Sequence, residues 1–194
     1  GLMSDSQKKI GELFLIGTLI IEGLFPIIAN YGARTIAPIF LLAVSTAIAG
    51  ILLAAIRWSQ GQVIDGQWRL VWRELLGVSV CTVIVPFSML YIGTSMTSGI
   101  NTAILTQGEM LFALLFGAIV LGERLRGWQS LGAMCVFVGS IVVLFNGFAQ
   151  LNIGDLLVFG SGLFFPIGNI FAKRALQQVS PYTVLIMRYA IGSS

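Results

Sequence analysis

The chain has no histidine, only two cysteines and little charge: Asp, Glu, Lys and Arg make up 10% of its 194 residues. Each shortage removes a class of function. Without histidine there is no His-based catalytic triad, no His metal site and no imidazole proton shuttle. Cys81 and Cys135 both lie inside apolar runs and read as buried or lipid-facing residues, not as a disulfide or a zinc site. No metal and no cofactor are expected. A soluble domain carries about 25% charged residues. A chain that is 57% hydrophobic, with mean hydropathy +0.94, has too few charges to cover a water-facing surface. There is no GxxxxGK[ST] loop, so no motif for nucleotide-driven work is present. The net charge of +3 is not a nucleic-acid signal, because the bases sit in short clusters between apolar runs.

What the sequence does have is long apolar runs. A bilayer-crossing helix needs about 20 apolar residues, and the runs predict an all-α polytopic membrane protein whose first partner is the lipid bilayer. The expected spans are Ile10–Asn30, Pro38–Ile56, Leu75–Ile92, Gly99–Leu121, Trp128–Phe145 and Gly154–Ala172, with a seventh beginning at Pro181. A Trp-rich polar loop is expected between spans 2 and 3, with Trp58, Trp68 and Trp72 at headgroup level. Lys8-Lys9 before an apolar run resembles a signal peptide, but the run is long enough to span and has no small-residue cleavage site. With the N-terminus in the cytoplasm, Lys8, Lys9, Arg57, Arg69, Arg73, Arg124, Arg126, Lys173 and Arg174 all fall inside, and Arg34 alone falls in an outer loop. The positive-inside rule selects that orientation.

Two segments align without a gap. Gly23–Arg34 (GLFPIIANYGAR) matches Gly162–Lys173 (GLFFPIGNIFAK) at Gly23/Gly162, Leu24/Leu163, Phe25/Phe164, Asn30/Asn169 and Ala33/Ala172. Prolines Pro26 and Pro166 stand one position out of step, and each copy leads to a proline that opens the next span, Pro38 and Pro181. Five spans separate the copies. An odd number inverts the second copy, as in inverted-repeat transporters with a midplane site. Chance similarity between Gly- and Phe-rich membrane helices is the competing explanation. The expected organisation is an inverted-repeat helical bundle with five spans per repeat. Residues 1–147 form the first repeat and residues 148–194 start an incomplete second one. Six spans plus part of a seventh are then visible, and the rest of the second half is the missing partner.

Span 4 carries the most informative stretch, Thr106–Arg126. A Thr/Ser-rich approach, Gly93-Thr94-Ser95-Met96-Thr97-Ser98-Gly99, leads to Glu109-Met110, then an apolar run, Leu121-Gly122-Glu123-Arg124-Leu125, and a span with Gly132 and Gly139. With Arg188 early in span 7, this pattern resembles the EamA-type transporters of the drug/metabolite transporter superfamily. The resemblance covers nearly the whole chain and implies ten spans in two repeats. Met110 stands where the family often has proline, Glu22-Gly23 where Trp-Gly is usual, and Ser45 where the repeat alignment puts an arginine. The motif says nothing about the cargo.

An acid at mid-membrane costs about 2.5–3.5 kcal/mol even on the lenient insertion scale. At 1.5 Å per residue, Glu22 lies about 18 Å into span 1, and Glu109 is also near mid-depth. Both are candidates for binding a proton or a cationic group; a structural role as a hydrogen-bonded neutral acid is the alternative. In remote relatives, the small multidrug transporters, a span-1 acid has such a function. Asn101 and Asn169 are further candidates to bind substrate, and Asn30 is expected to cap or bridge helices. Arg188 is counted with Glu22, Glu109, Asn101 and Asn169 as a substrate- or proton-binding candidate, and is expected to snorkel inward or to pair with Glu22 or Glu109. Gln107 and Glu109, two apart on one helix, are not expected to face one cavity together. Pro26, Pro86 and Pro166 are expected kinks, either hinges or static. Glu123 and Arg124 are expected to clamp the cytoplasmic end of span 4.

The function these features imply is gradient-driven transport of small organic metabolites or drugs, with export favoured and the proton as the candidate coupling ion. It would proceed by alternating access across a bacterial inner membrane. A membrane-embedded enzyme is disfavoured by the missing histidine. A non-transporting scaffold or assembly protein is the alternative, and a polar cavity lined by Glu22 and Glu109 would speak against it.

Overall fold

The computed structural model describes residues 5–59, 66–120, 122, 127–145 and 152–192. The helices are α1 (Asp5–Thr35), α2 (Pro38–Ser59), α3 (Trp72–Ser79), α4 (Val85–Ser95), α5 (Gly99–Leu105), α6 (Gly108–Val120), α7 (Gly127–Phe145), α8 (Ile153–Ser161), α9 (Phe164–Ala175) and α10 (Pro181–Gly192). A 3₁₀ segment, Gly66–Val71, leads into α3, and a π-turn, Val80–Ile84, joins α3 to α4. No strand occurs among the described residues. Six stretches are long and apolar enough to cross a membrane: Leu15–Thr35, Pro38–Ile56, Gly66–Ser95, Gly99–Val120, Gly127–Phe145 and Ile153–Ala175. The chain is an all-α polytopic membrane protein.

Span 3, Gly66–Ser95, is the axis of the bundle. It is the most enclosed of the six, and each hydrophobic cluster is built on it. Val71, Leu75 and Val78, spaced one helical turn apart, meet Ala175 and Val184 of the last two helices and Val179 of the turn between them. Val83 and Tyr91 meet Ala29, Ala33 and Leu42 of spans 1 and 2. Leu90 meets Leu105, Leu144 and Val158 of spans 4, 5 and 6. By contrast, Ile51 is 68% exposed and Ile119 79% exposed, as lipid-facing side chains are.

Three expectations change. The Trp-rich segment is helical from Gly66 onward, because Val71 and Leu75 are buried against α9 and α10. Span 4 is not one helix: α5 stops at Leu105 and α6 starts at Gly108. Across the break, the N–H groups of Gln107, Glu109 and Met110 donate three residues back instead of four, so the turn tightens. Span 6 is broken in the same way between α8 and α9, where Gly162 and Leu163 also donate three residues back. Glu123 and Arg124, the expected clamp, lie outside the described residues. Just before them, Gly122 adopts φ +66°, the left-handed conformation glycine allows after a helix end.

Candidate functional site

The two breaks touch. A Cβ placed on Gly162 would lie 2.8 Å from the Glu109 backbone nitrogen and 2.9 Å from its Cα. Irregular backbone at membrane depth is tolerated only where it is enclosed by protein or lines a cavity, and here it does both. Beside the contact lies a cavity of about 650 Å³, lined by residues of α1, α4, α6, the breaks, the end of α8 and α9. Its polar lining is Glu22, Thr106, Gln107, Glu109 and Ser161, and no lysine or arginine is among the lining residues. Glu22 and Glu109, expected at mid-depth from the sequence, therefore face one space. Gln107 joins them, against expectation. The i, i+2 argument assumed a continuous helix, and the turn at Thr106–Gln107 removes that assumption.

Aromatic rings pave another wall. Phe87 stands edge-on to Phe25 at 6.3 Å and to Phe165 at 6.1 Å between centroids, which ties spans 1, 3 and 6 together at the cavity. This is the favoured geometry for ring pairs. The sequence holds many phenylalanines, and nothing in spacing alone marks these three.

The prolines act through the donors they lack. Pro26 sits inside the unbroken α1 and leaves the Glu22 carbonyl without its i+4 donor. Pro166 is the third residue of α9, where a backbone N–H would have no intrahelical partner anyway. It leaves the Gly162 carbonyl in the same condition. Glu22 and Gly162 both line the cavity.

The remaining candidates lie elsewhere. Asn169 is exposed on α9 and does not line the cavity. Asn101 points to a different cluster, at the end of the bundle where α1 finishes and α5 and α8 begin. There Asp155, only 1% exposed, accepts from the Thr97 hydroxyl and faces the Asn101 amide at 3.4 Å. Asn30 donates to the Thr94 and Thr97 carbonyls, which makes it a bridge between spans. Arg34 also donates to the Thr97 carbonyl. Asn152 caps α8 and reaches the Met96 carbonyl at 3.2 Å. Gly93 and Gly154 let the two backbones meet: a Cβ on either would lie 2.7 Å from the other's carbonyl oxygen. Asp155 was not singled out from the sequence, where an acid after Asn152 reads as an ordinary first-turn residue.

Arg188 does not ion-pair with either acid. Its Nη2 donates to the Thr82 carbonyl at 3.2 Å.

Comparison with known proteins fits this architecture. The model of the EamA-like transporter family matches residues 9–145. A protein of Archaeoglobus fulgidus named "Uncharacterized transporter" is 28% identical over 172 residues, covering 84% of this chain and 58% of its own length. An Escherichia coli protein named "Probable amino-acid metabolite efflux pump" is 29% identical over 107 residues, covering 53% of this chain and 36% of its own length. The chain thus spans little more than half the length of the first of these relatives. No solved structure matches. A family match over most of the chain, on a bundle of six apolar helices, places the chain in the EamA-like transporter family.

Proposed function

We propose that the full-length protein is a secondary transporter that exports small organic solutes by alternating access, with Glu22 and Glu109 carrying protons or holding a cationic group. The observation that carries this reading is the joint exposure of both carboxyl groups to one cavity at the abutting breaks of spans 4 and 6. Discontinuous helices at mid-membrane are where transporters hold their ligands. A dry scaffold would have no reason to bring two acids together there, since each is costly inside a bilayer. The name of the Escherichia coli relative supports efflux as the direction and amino-acid metabolites as a first substrate class to test. In this plan residues 1–147 are one repeat, residues 148–194 begin an inverted second repeat, and the remaining spans close the other side of the cavity. The N-terminus faces the cytoplasm of a cell whose inner membrane holds the protein.

The test uses everted vesicles containing the full-length protein and a panel of radiolabelled amino acids. Uptake is driven by an imposed pH gradient. Glu22→Gln and Glu109→Gln should each change the rate and its dependence on pH. Unchanged transport and unchanged pH dependence in both variants would remove the two acids from the mechanism.

A further inference from the structure

A cation inside a membrane span needs an acceptor, and Arg188 has found one that an ordinary helix would not offer. Within an α-helix the carbonyl of residue 82 receives the N–H of residue 86. Residue 86 is proline and has no N–H to give. Around this point span 3 widens into the π-turn Val80–Ile84, and the Val85 N–H reaches back to the Val80 carbonyl. The freed Thr82 carbonyl takes the Arg188 Nη2 instead. Two glycines keep the approach open. A Cβ on Gly168 would collide with Thr82, and one on Gly192 would lie 2.6 Å from Val83 Cγ1. α9 and α10 therefore pack their glycine faces directly on the side chains of the π-turn. The docked guanidinium keeps its Nε buried and unpartnered, and α9, which meets Thr82 at Gly168, starts just after Gly162, whose backbone abuts that of Glu109.

We propose that Pro86 and Arg188 form one device: the proline strips the Thr82 carbonyl of its helical donor so that the carbonyl can hold Arg188 and fix its charge relative to Glu109. Arg188 is then a positioning residue for the cavity, and Pro86 acts as an acceptor-maker and not as a hinge. The inference rests on the reading of the Glu22–Glu109 cavity as the transport site. Its test needs no transported substrate, so it can fail while the transport assay succeeds, and the reverse.

The experiment is nuclear magnetic resonance on the full-length protein in phosphatidylcholine nanodiscs, with ¹⁵N-guanidinium arginine and ¹³C-carboxyl glutamate. Arg188 is assigned by its loss in Arg188→Lys and Glu109 by its loss in Glu109→Gln. Docking predicts separate, slowly exchanging Nη signals for Arg188. Pro86→Ala restores an N–H that competes for the Thr82 carbonyl. It should merge those signals and move the Glu109 carboxyl resonance toward its position in Arg188→Ala. If Pro86→Ala does not fold, Arg188→Gln and Arg188→Lys carry the test. Glutamine keeps a donor but no charge, so it should displace the Glu109 resonance as alanine does, while lysine displaces it least. A folded Pro86→Ala protein whose Arg188 signals stay separate overturns the device, as does a Glu109 resonance that Arg188→Ala leaves in place or that Gln and Lys displace equally.

Discussion

Adding one methyl group at Gly162 tests whether the breaks of spans 4 and 6 meet as described. Gly162 has φ −63° and ψ −22°, so alanine there carries no backbone strain and any penalty is steric. Its Cβ would stand 2.8 Å from the Glu109 nitrogen, 2.9 Å from the Glu109 Cα and 3.3 Å from the Gly108 carbonyl carbon. These are backbone atoms at the start of α6 and cannot rotate aside, so a helix must shift. Overpacking of that kind costs about 1–3 kcal/mol. Gly132 in α7 has nothing within 4 Å of the equivalent position. Alanine in place of glycine at a position of unstrained φ/ψ gains about 0.4–1 kcal/mol by narrowing the unfolded ensemble, a gain that favours both variants. Comparing Gly162→Ala with Gly132→Ala therefore isolates the clash, which should separate them by about 1–3 kcal/mol. Gly108→Ala should fall between them, because its Cβ would meet the Phe159 ring at 2.6 Å, and a ring can turn. The assay is equilibrium unfolding of the full-length protein in mixed micelles titrated with SDS. Equal midpoints for Gly162→Ala and Gly132→Ala would mean that the two breaks do not touch.

The polar cluster at the far end of the bundle gives two more tests by the same titration. Asn30→Ala removes a side chain that donates to two backbone carbonyls and should cost about 1–3 kcal/mol. Asn30→Asp should be worse than Ala at neutral pH, because it turns a donor into an acceptor facing other acceptors; an Asp variant as stable as Ala would refute the assigned bonds. Asp155→Ala leaves the Thr97 hydroxyl without its acceptor and the Asn101 amide with only the Thr97 oxygen, and should also cost about 1–3 kcal/mol. Asp155→Asn keeps an acceptor oxygen and should recover most of that loss, and an Asn variant no better than Ala would contradict the geometry.

Hydropathy and charge made the class, the spans and the two mid-membrane acids legible, because each follows from one residue's cost in lipid. Glu22 and Glu109 stood out because an acid in an apolar run has few places to go, and the cavity receives both. Asp155 escaped notice for the opposite reason. It sits in the first turn of α8, two residues inside a capped start, where an acid needs no explanation until the fold covers it with Thr97 and Asn101. Gln107 was misjudged because the break at Thr106–Gln107 has no local signature: Thr, Gln and Gly occur in unbroken helices too. The break sits where span 4 meets Gly162 and Phe159, which lie in a part of the chain that local reading cannot bring near.

The three prolines within the spans make the same point through one chemical fact. Each lacks the N–H its helix would use, and each meets a different answer. Pro26 is absorbed in an unbroken α1, with the Glu22 carbonyl beside a polar cavity. Pro86 is accommodated by a π-turn, and the carbonyl it frees is taken by an arginine 106 residues away in sequence. Pro166 stands in the first turn of a new helix, where its missing donor costs nothing. Only in the third case is the chain interrupted next to the proline, and Gly162, four residues earlier, marks the place. A proline therefore predicts a freed carbonyl more securely than it predicts a bend. Whether that carbonyl becomes a kink, a ligand for a side chain or part of a cavity wall depends on which polar group the tertiary structure sets opposite it.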